Sequence, residues 1–118
     1  MGKLFIVTGP SGAGKDSVIN TVKEQGLVFG QVVTTSTRQM RQIESEGNPY
    51  YFLTREQFEA LVQQAAMVEW AEVYGNLYGC SKQEVEQKLA QNDVVIVKVD
   101  PQGARSYKKL MPEAKTIF

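Results

Sequence analysis

Apolar positions in this chain fall into short unbroken runs and helical stripes that take turns along the sequence. The run KLFIVT, Lys3 to Thr8, is stopped by Gly9-Pro10 and reads as a strand buried on both faces. From Lys15, Val18, Ile19 and Val22 recur at helical spacing until Gly26 offers a C-cap. LVFGQVV, residues 27–33, reads as a second strand. After a polar, turn-rich stretch, TREQ at Thr54 to Gln57 has capping-box spacing and leads a stripe of Phe58, Leu61, Val62 and Ala65. That stripe is read as core. MVEWAEVYGNLYG alternates and turns at Gly75-Asn76, which predicts a strand pair. A second capping box, Ser81 to Glu84, opens a helix through Val85 and Leu89. VVIVKVD, Val94 to Asp100, is another two-face-buried strand, and it ends on a carboxylate. Pro101 then starts a helix with Ala104, Tyr107 and Leu110 inward, and AKTIF begins a further strand.

Strand-helix alternation at both ends predicts an α/β fold, a parallel sheet with flanking helices interrupted by a mixed αβ insert. The expected division is a core of about 1–33 and 81–118 with an insert of about 34–80, all within one domain of 118 residues. Phe118 closes the chain at a strand that such a sheet would normally cover with further elements. The expectation is a chain lacking its last core elements, or an open edge covered by a second copy in a homo-oligomer.

Composition narrows the function classes. Apolar residues make up 42% and charged residues 22%, the balance of a globular domain rather than of a disordered tail or a membrane span. Thirteen basic residues offset thirteen acidic ones, so neither nucleic acid nor an anionic membrane is an expected partner. Cys80 is the single cysteine, which excludes an internal disulfide, and the opening residues carry no targeting pattern, so the expected compartment is the cytoplasm. Histidine is absent, which removes the commonest general base and most zinc sites. Phosphoryl transfer suits that restriction, since its catalysis is mostly positioning plus charge neutralisation.

The stretch GPSGAGKDS carries the strongest chemical signal, because it follows an apolar strand and opens a helix. Gly9, Gly12 and Gly14, with Pro10, Ser11 and Ala13 between them, let the backbone curl with its N–H groups inward, and Lys15 reaches the outer phosphates. Asp16 stands where a hydroxyl normally meets Mg²⁺. It either takes the ion, directly or through water, or is only a favourable acid in a first helical turn. Ser17 is one residue late and turned roughly 100° away. Asp100, at the end of a buried strand, fits a metal- or water-holding acid and equally the N-cap of the helix starting at Pro101. Arg38 and Arg41 lie three apart in a loop with Thr34, Thr35 and Thr37, and Tyr50 and Tyr78 lie beyond it. Such a set can fork onto a second phosphate, or be solvated loop charge.

With these residues in place, GPSGAGK, TTSTR..R, YYF, VEWAEVYGNLYG and VDPQGARSYKK resemble the guanylate kinases over essentially the whole chain. The resemblance implies a P-loop NTPase-type core and an inserted GMP-binding subdomain, with transfer of the γ-phosphoryl group of ATP to GMP and Mg²⁺ as cofactor. ATP would lie on Gly9 to Asp16, with Mg²⁺ near Asp16 or Asp100, and Lys15, Arg38, Arg41 and Asp100 would serve catalysis. By position, Arg38, Arg41, Tyr50 and Tyr78 go to the GMP phosphate, and Thr34, Glu69 and Cys80 to the guanine. Glu69 makes chemical sense there, because guanine presents N1–H and N2–H₂ as adjacent donors and adenine does not. Without the resemblance, Glu69 reads as an exposed strand charge. Several residues depart from the pattern. Asp16 resembles the GKDS of ribose bisphosphate kinases, a rival enzyme reading, Cys80 replaces a usual serine, and Lys98 replaces a usual acid. Met40, Ile43 and Pro49 break the arginine loop, and the lid of the family would lie beyond Phe118. A scaffold-type guanylate-kinase-like binding module is the non-enzymatic alternative.

Overall fold

The protein is described here by a computed structural model covering residues 2–9 and 14–117, with Lys15 and Asp16 in backbone only. Its backbone divides into two units, residues 1–32 with 86–118, and residues 33–85.

In unit 1 the strands are β1 (Lys3–Thr8), β2 (Gly30–Gln31), β7 (Val94–Val99) and β8 (Lys115–Ile117), in the order β2-β7-β1-β8. Every pairing is parallel, and Thr8 of β1 stands opposite Val99 of β7. The expected parallel sheet is therefore present. The helices here are α1 (Lys15–Glu24) and α4 (Pro101–Leu110), and α3 (Lys82–Gln91) crosses the boundary between the units. Val7 and Ile96 on one sheet face pack on Ile19 of α1, with Phe5, Val18, Val22 and Phe29 around them. Leu4, Ile6 and Thr8 alternate to the other face, where Thr8 lines a cavity with Pro101, Ala104 and Lys108 of α4. No described helix is long and apolar enough to cross a membrane.

Gly26 ends α1 as the sequence suggests. Its φ is 82°, its N–H reaches Lys23 O at 3.0 Å, and Leu27 N–H reaches Val22 O at 3.4 Å, a Schellman closure. That closure shortens the next strand. Leu27 commits its N–H to the helix end and Val28 is 86% exposed, so of residues 27–33 only Gly30 and Gln31 form strand. The inward position expected of Leu110 is also not found. It is exposed, and the stripe of Ala104 and Tyr107 continues to half-buried Met111, four residues on, at the point where the helix ends.

Unit 2 holds β3 (Thr35–Ser36), β4 (Tyr51–Phe52), α2 (Arg55–Gln63), β5 (Met67–Val73) and β6 (Asn76–Ser81). Its sheet runs β4-β3-β6-β5, with β3 and β4 parallel and the other pairs antiparallel. The Thr54–Gln57 capping box forms in full, with bonds of 2.9 and 3.1 Å. Phe58, Met67 and Leu77 build the core, flanked by Leu61 and Val62. Ala65 is not part of that stripe. With φ 55° it is the left-handed residue that closes α2, its N–H on Val62 O and the next N–H on Leu61 O, and it is exposed. The β5–β6 turn lies one residue earlier than expected, on Tyr74 and Gly75, both at positive φ as a two-residue type I′ turn requires. Ser81 caps α3 through Glu84 N–H at 3.1 Å, and Glu84 Oε2, buried, accepts Val33 N–H at 2.7 Å.

Candidate functional site

The residues expected to meet GMP all lie in unit 2, and strand register decides how they are arranged. Ser36 is opposite Tyr78 and also opposite Phe52, while Cys80 is opposite Glu69. Alternation along β6 puts Tyr78 and Cys80 on one face, and the β3 register continued by one residue brings Thr34 to the same face. Leu77, Trp70 and Met67 point to the other face, where α2 packs through Phe58, whose ring meets Trp70 edge-on at 6.4 Å. The polar set and the apolar core thus use opposite sides of one sheet. Tyr78 and Cys80 are two residues apart on the polar face, about 7 Å along a strand.

At the Tyr78 end of this face Arg38 leaves β3 after Ser36, whose Oγ accepts Arg38 N–H at 3.0 Å. Its guanidinium stands 5.2 Å from the centre of the Tyr50 ring and 5.5 Å from that of Phe52. Tyr50 meets Tyr78 edge-on at 5.7 Å and Phe52 at 6.0 Å, so three rings and one cation form a continuous wall. Glu44 completes it. Arg38 donates from Nη1 to Oε1 and from Nη2 to Oε2, both at 2.9 Å, and Arg41 N–H also donates to Oε1, at 2.8 Å. The two side chains are 14% and 11% exposed. The hydrogen bond from Arg38, followed by that from the Arg41 backbone, lowers the Glu44 pKa to about 2, and the same bond raises Arg38 above its ordinary value. The Arg41 side chain is at the surface.

At the Cys80 end Glu69 is half-buried beside the β-bulge between Met67 and Glu69, and Cys80 is 1% exposed with its Sγ 3.4 Å from Ser81 O. Thr34 is half-buried and its carbonyl accepts Tyr51 N–H at 3.0 Å. Glu69 is not the exposed strand charge that its sequence context alone suggests.

Glu44, Phe52 and Glu46, which accepts Phe52 N–H at 3.1 Å, were not singled out from sequence. A signal existed for Glu44. It lies six residues after Arg38 and three after Arg41 in a loop where two cations need an anchor.

In unit 1 the candidate donor site gathers at the carboxyl ends of parallel strands, where α/β sheets bind ligands. Thr8 and Gly9 end β1 buried, and Gly14 caps α1 in the left-handed conformation with its carbonyl accepting Val18 N–H at 3.1 Å. Register places Asp100 beside Gly9, one residue past Val99, the partner of Thr8. Asp100 Oδ1 accepts Gly103 N–H at 2.8 Å as the N-cap of α4, and the residue is exposed. Pro10, Ser11, Gly12 and Ala13, and the side chains of Lys15 and Asp16, lie outside the described residues.

Known proteins resemble the chain along its whole length. A family model described as guanylate kinase matches residues 1–118. A guanylate kinase of Shewanella violacea is 48% identical over 118 residues, 99% of this chain and 57% of the relative. One of Hahella chejuensis is 43% identical over 117 residues, 99% of this chain and 56% of the relative. The crystal structure of guanylate kinase from Anaplasma phagocytophilum superposes with a TM-score of 0.71 at 30% identity, covering 99% of this chain and 58% of the other. The chain therefore spans somewhat more than half the length of the relatives it matches. On the full-length family match and these identities, the chain belongs to the guanylate kinase family.

Proposed function

We propose that the protein transfers the γ-phosphoryl group of ATP to GMP, giving ADP and GDP, in the cytoplasm. The observation that carries this reading is the single sheet face in unit 2 on which Glu69, Cys80, Thr34, Tyr78, Tyr50 and Arg38 meet. Arg38, Arg41, Tyr50 and Tyr78 bind the acceptor phosphate. Glu69 accepts the paired donors of guanine, with Thr34 and Cys80 beside it. The Cys80 thiol is a weaker hydrogen-bond partner than a serine hydroxyl, so base selection rests mainly on Glu69.

The donor side is Gly9 to Lys15, whose backbone N–H groups and helix start hold the phosphates while Lys15 offsets their charge. Mg²⁺ binds proteins through one or two carboxylates plus phosphate oxygens. Asp100 fits that demand. Its cap bond uses Oδ1, it is exposed at the carboxyl edge, and no cluster of three or more possible ligands occurs among the described residues to suggest a closed cage. Asp100, with Asp16 as a second candidate, would hold the ion, which when bound neutralises charge on the transferring group. Transfer is a direct in-line displacement, so no covalent enzyme intermediate is needed. The scaffold-module and ribose bisphosphate kinase readings are not favoured, since the matching relatives are named guanylate kinases.

The test is chromatographic. Purified chain with ATP, Mg²⁺ and GMP should form ADP and GDP in equal amounts, and AMP in place of GMP should not be phosphorylated. Equal turnover of AMP, or ADP formed without GDP, would contradict the reading.

A further inference from the structure

Arg38 is held in a particular way. A guanidinium has two edges able to fork onto an oxyanion, the Nη1/Nη2 end and the Nε/Nη2 side. Glu44 occupies the end edge through both Nη atoms, and Gln39 O accepts a further Nη1–H at 3.2 Å. Among the described residues nothing bonds Nε–H or the outer Nη2–H, so the side edge is open. The guanidinium carbon also stands over the Tyr50 and Phe52 rings, so two ring contacts and the Glu44 fork restrain the group. Glu44 also takes the Arg41 backbone N–H, tying both arginines to one carboxylate.

We propose that Glu44 is a positioning residue, which presents the side edge of Arg38 ready-oriented to the phosphate of the acceptor nucleotide. This rests on the GMP reading above and adds the residue that makes Arg38 a fixed fork rather than a mobile charge. Two effects of Glu44 oppose each other. Its negative charge repels a dianion, and at about 6 Å in water that is worth about tenfold in affinity. Ordering an unrestrained arginine costs up to roughly thirtyfold in rotamer entropy. Ordering wins by about threefold. Glutamine is a poor replacement, since its NH₂ would face a guanidinium N–H, donor against donor.

The test is calorimetric titration of the chain with GMP and with guanosine, in wild type, Glu44→Gln, Arg38→Ala and the double variant. Glu44→Gln should bind GMP about threefold more weakly and guanosine within about 1.5-fold of wild type. In the Arg38→Ala background only the repulsion is left, so Glu44→Gln should no longer weaken GMP binding and should tighten it by up to about tenfold. Unchanged GMP affinity in Glu44→Gln overturns the proposal, as does an equal loss for guanosine, which marks a merely structural role. If wild type binds no GMP, the underlying reading falls and the proposal with it. A wild-type measurement needs no variant to fold. In ligand-free protein labelled with ¹⁵N-arginine, rotation about the Arg38 Cζ–Nη bonds should already be hindered, and GMP should shift the Arg38 Nε–H signal. A freely rotating guanidinium before GMP is added overturns the proposal.

Discussion

Gly79 sits between Tyr78 and Cys80 on β6, opposite Trp70, and the strands approach closely there. A Cβ at Gly79 would lie 2.5 Å from Glu69 O, 2.7 Å from Trp70 Cβ and 2.8 Å from Met67 Cε, against a 3.0 Å limit that real Cβ atoms essentially never break. Met67 Cε ends a flexible side chain and can move. Glu69 O is backbone beside the bulge, so relief of its 0.5 Å shortfall (3.0 less 2.5) must come from displacing β5. Overpacking of this kind costs about 1–3 kcal/mol, and the lower unfolded-state entropy of alanine offsets about 0.4–1 kcal/mol. Gly79→Ala should therefore lose about 1–2 kcal/mol. The single tryptophan, Trp70, lies on β5, so urea unfolding followed by its fluorescence reports on unit 2 directly. Because the displaced carbonyl belongs to Glu69, GMP affinity should fall as well. An unfolding midpoint equal to or above that of wild type, with an unchanged slope, would refute the close-approach reasoning.

Two further predictions concern charge. The Glu44 pKa is lowered from 4.5 to about 2 on folding, so the unfolded state binds more protons in between, and stability falls as pH drops. The stability difference between wild type and Glu44→Gln should hold constant above about pH 5 and shrink as pH falls from about 4.5 toward 2, as read from urea midpoints. For Asp100, Asn keeps the helix cap and Ala does not. Asp100→Ala should lose about 0.5–2 kcal/mol while Asp100→Asn stays close to wild type. If Asp100 also serves the metal, both should raise the Mg²⁺ concentration needed for half-maximal GDP formation, and an unaltered Mg²⁺ requirement in Asp100→Asn would leave it as a cap alone.

What the sequence made legible was local. KLFIVT and VVIVKV were readable because two-face burial leaves an unbroken apolar run, and Thr54 with Gln57 because a capping box is complete within four residues. Leu27 and Val28 misled because apolar content does not reveal that a helix closure already uses the backbone of Leu27. Ala65 misled because nothing in its side chain announces a left-handed conformation that glycine usually fills. In the candidate site, Arg38, Tyr50 and Tyr78 could be named from residue type and resemblance, but that they form one wall depends on the pairing of β3 with β4 and β6. Glu44 was overlooked because an acid in a polar loop reads as solvated charge until its partners are seen.

The central claim is that one face of the unit 2 sheet reads guanine through Glu69 and holds the phosphate through Arg38. Calorimetric titration of GMP and AMP into wild type and Glu69→Gln tests it most directly. Loss of a charged hydrogen bond to the base is worth about 1.5–3 kcal/mol, roughly ten- to 150-fold. Wild type should bind GMP well and AMP poorly, and Glu69→Gln should lose GMP affinity by that factor while its weak AMP binding stays the same. Equal GMP affinity in the two proteins, with Glu69→Gln still folded by Trp70 fluorescence, would remove Glu69 from the base site and contradict the account.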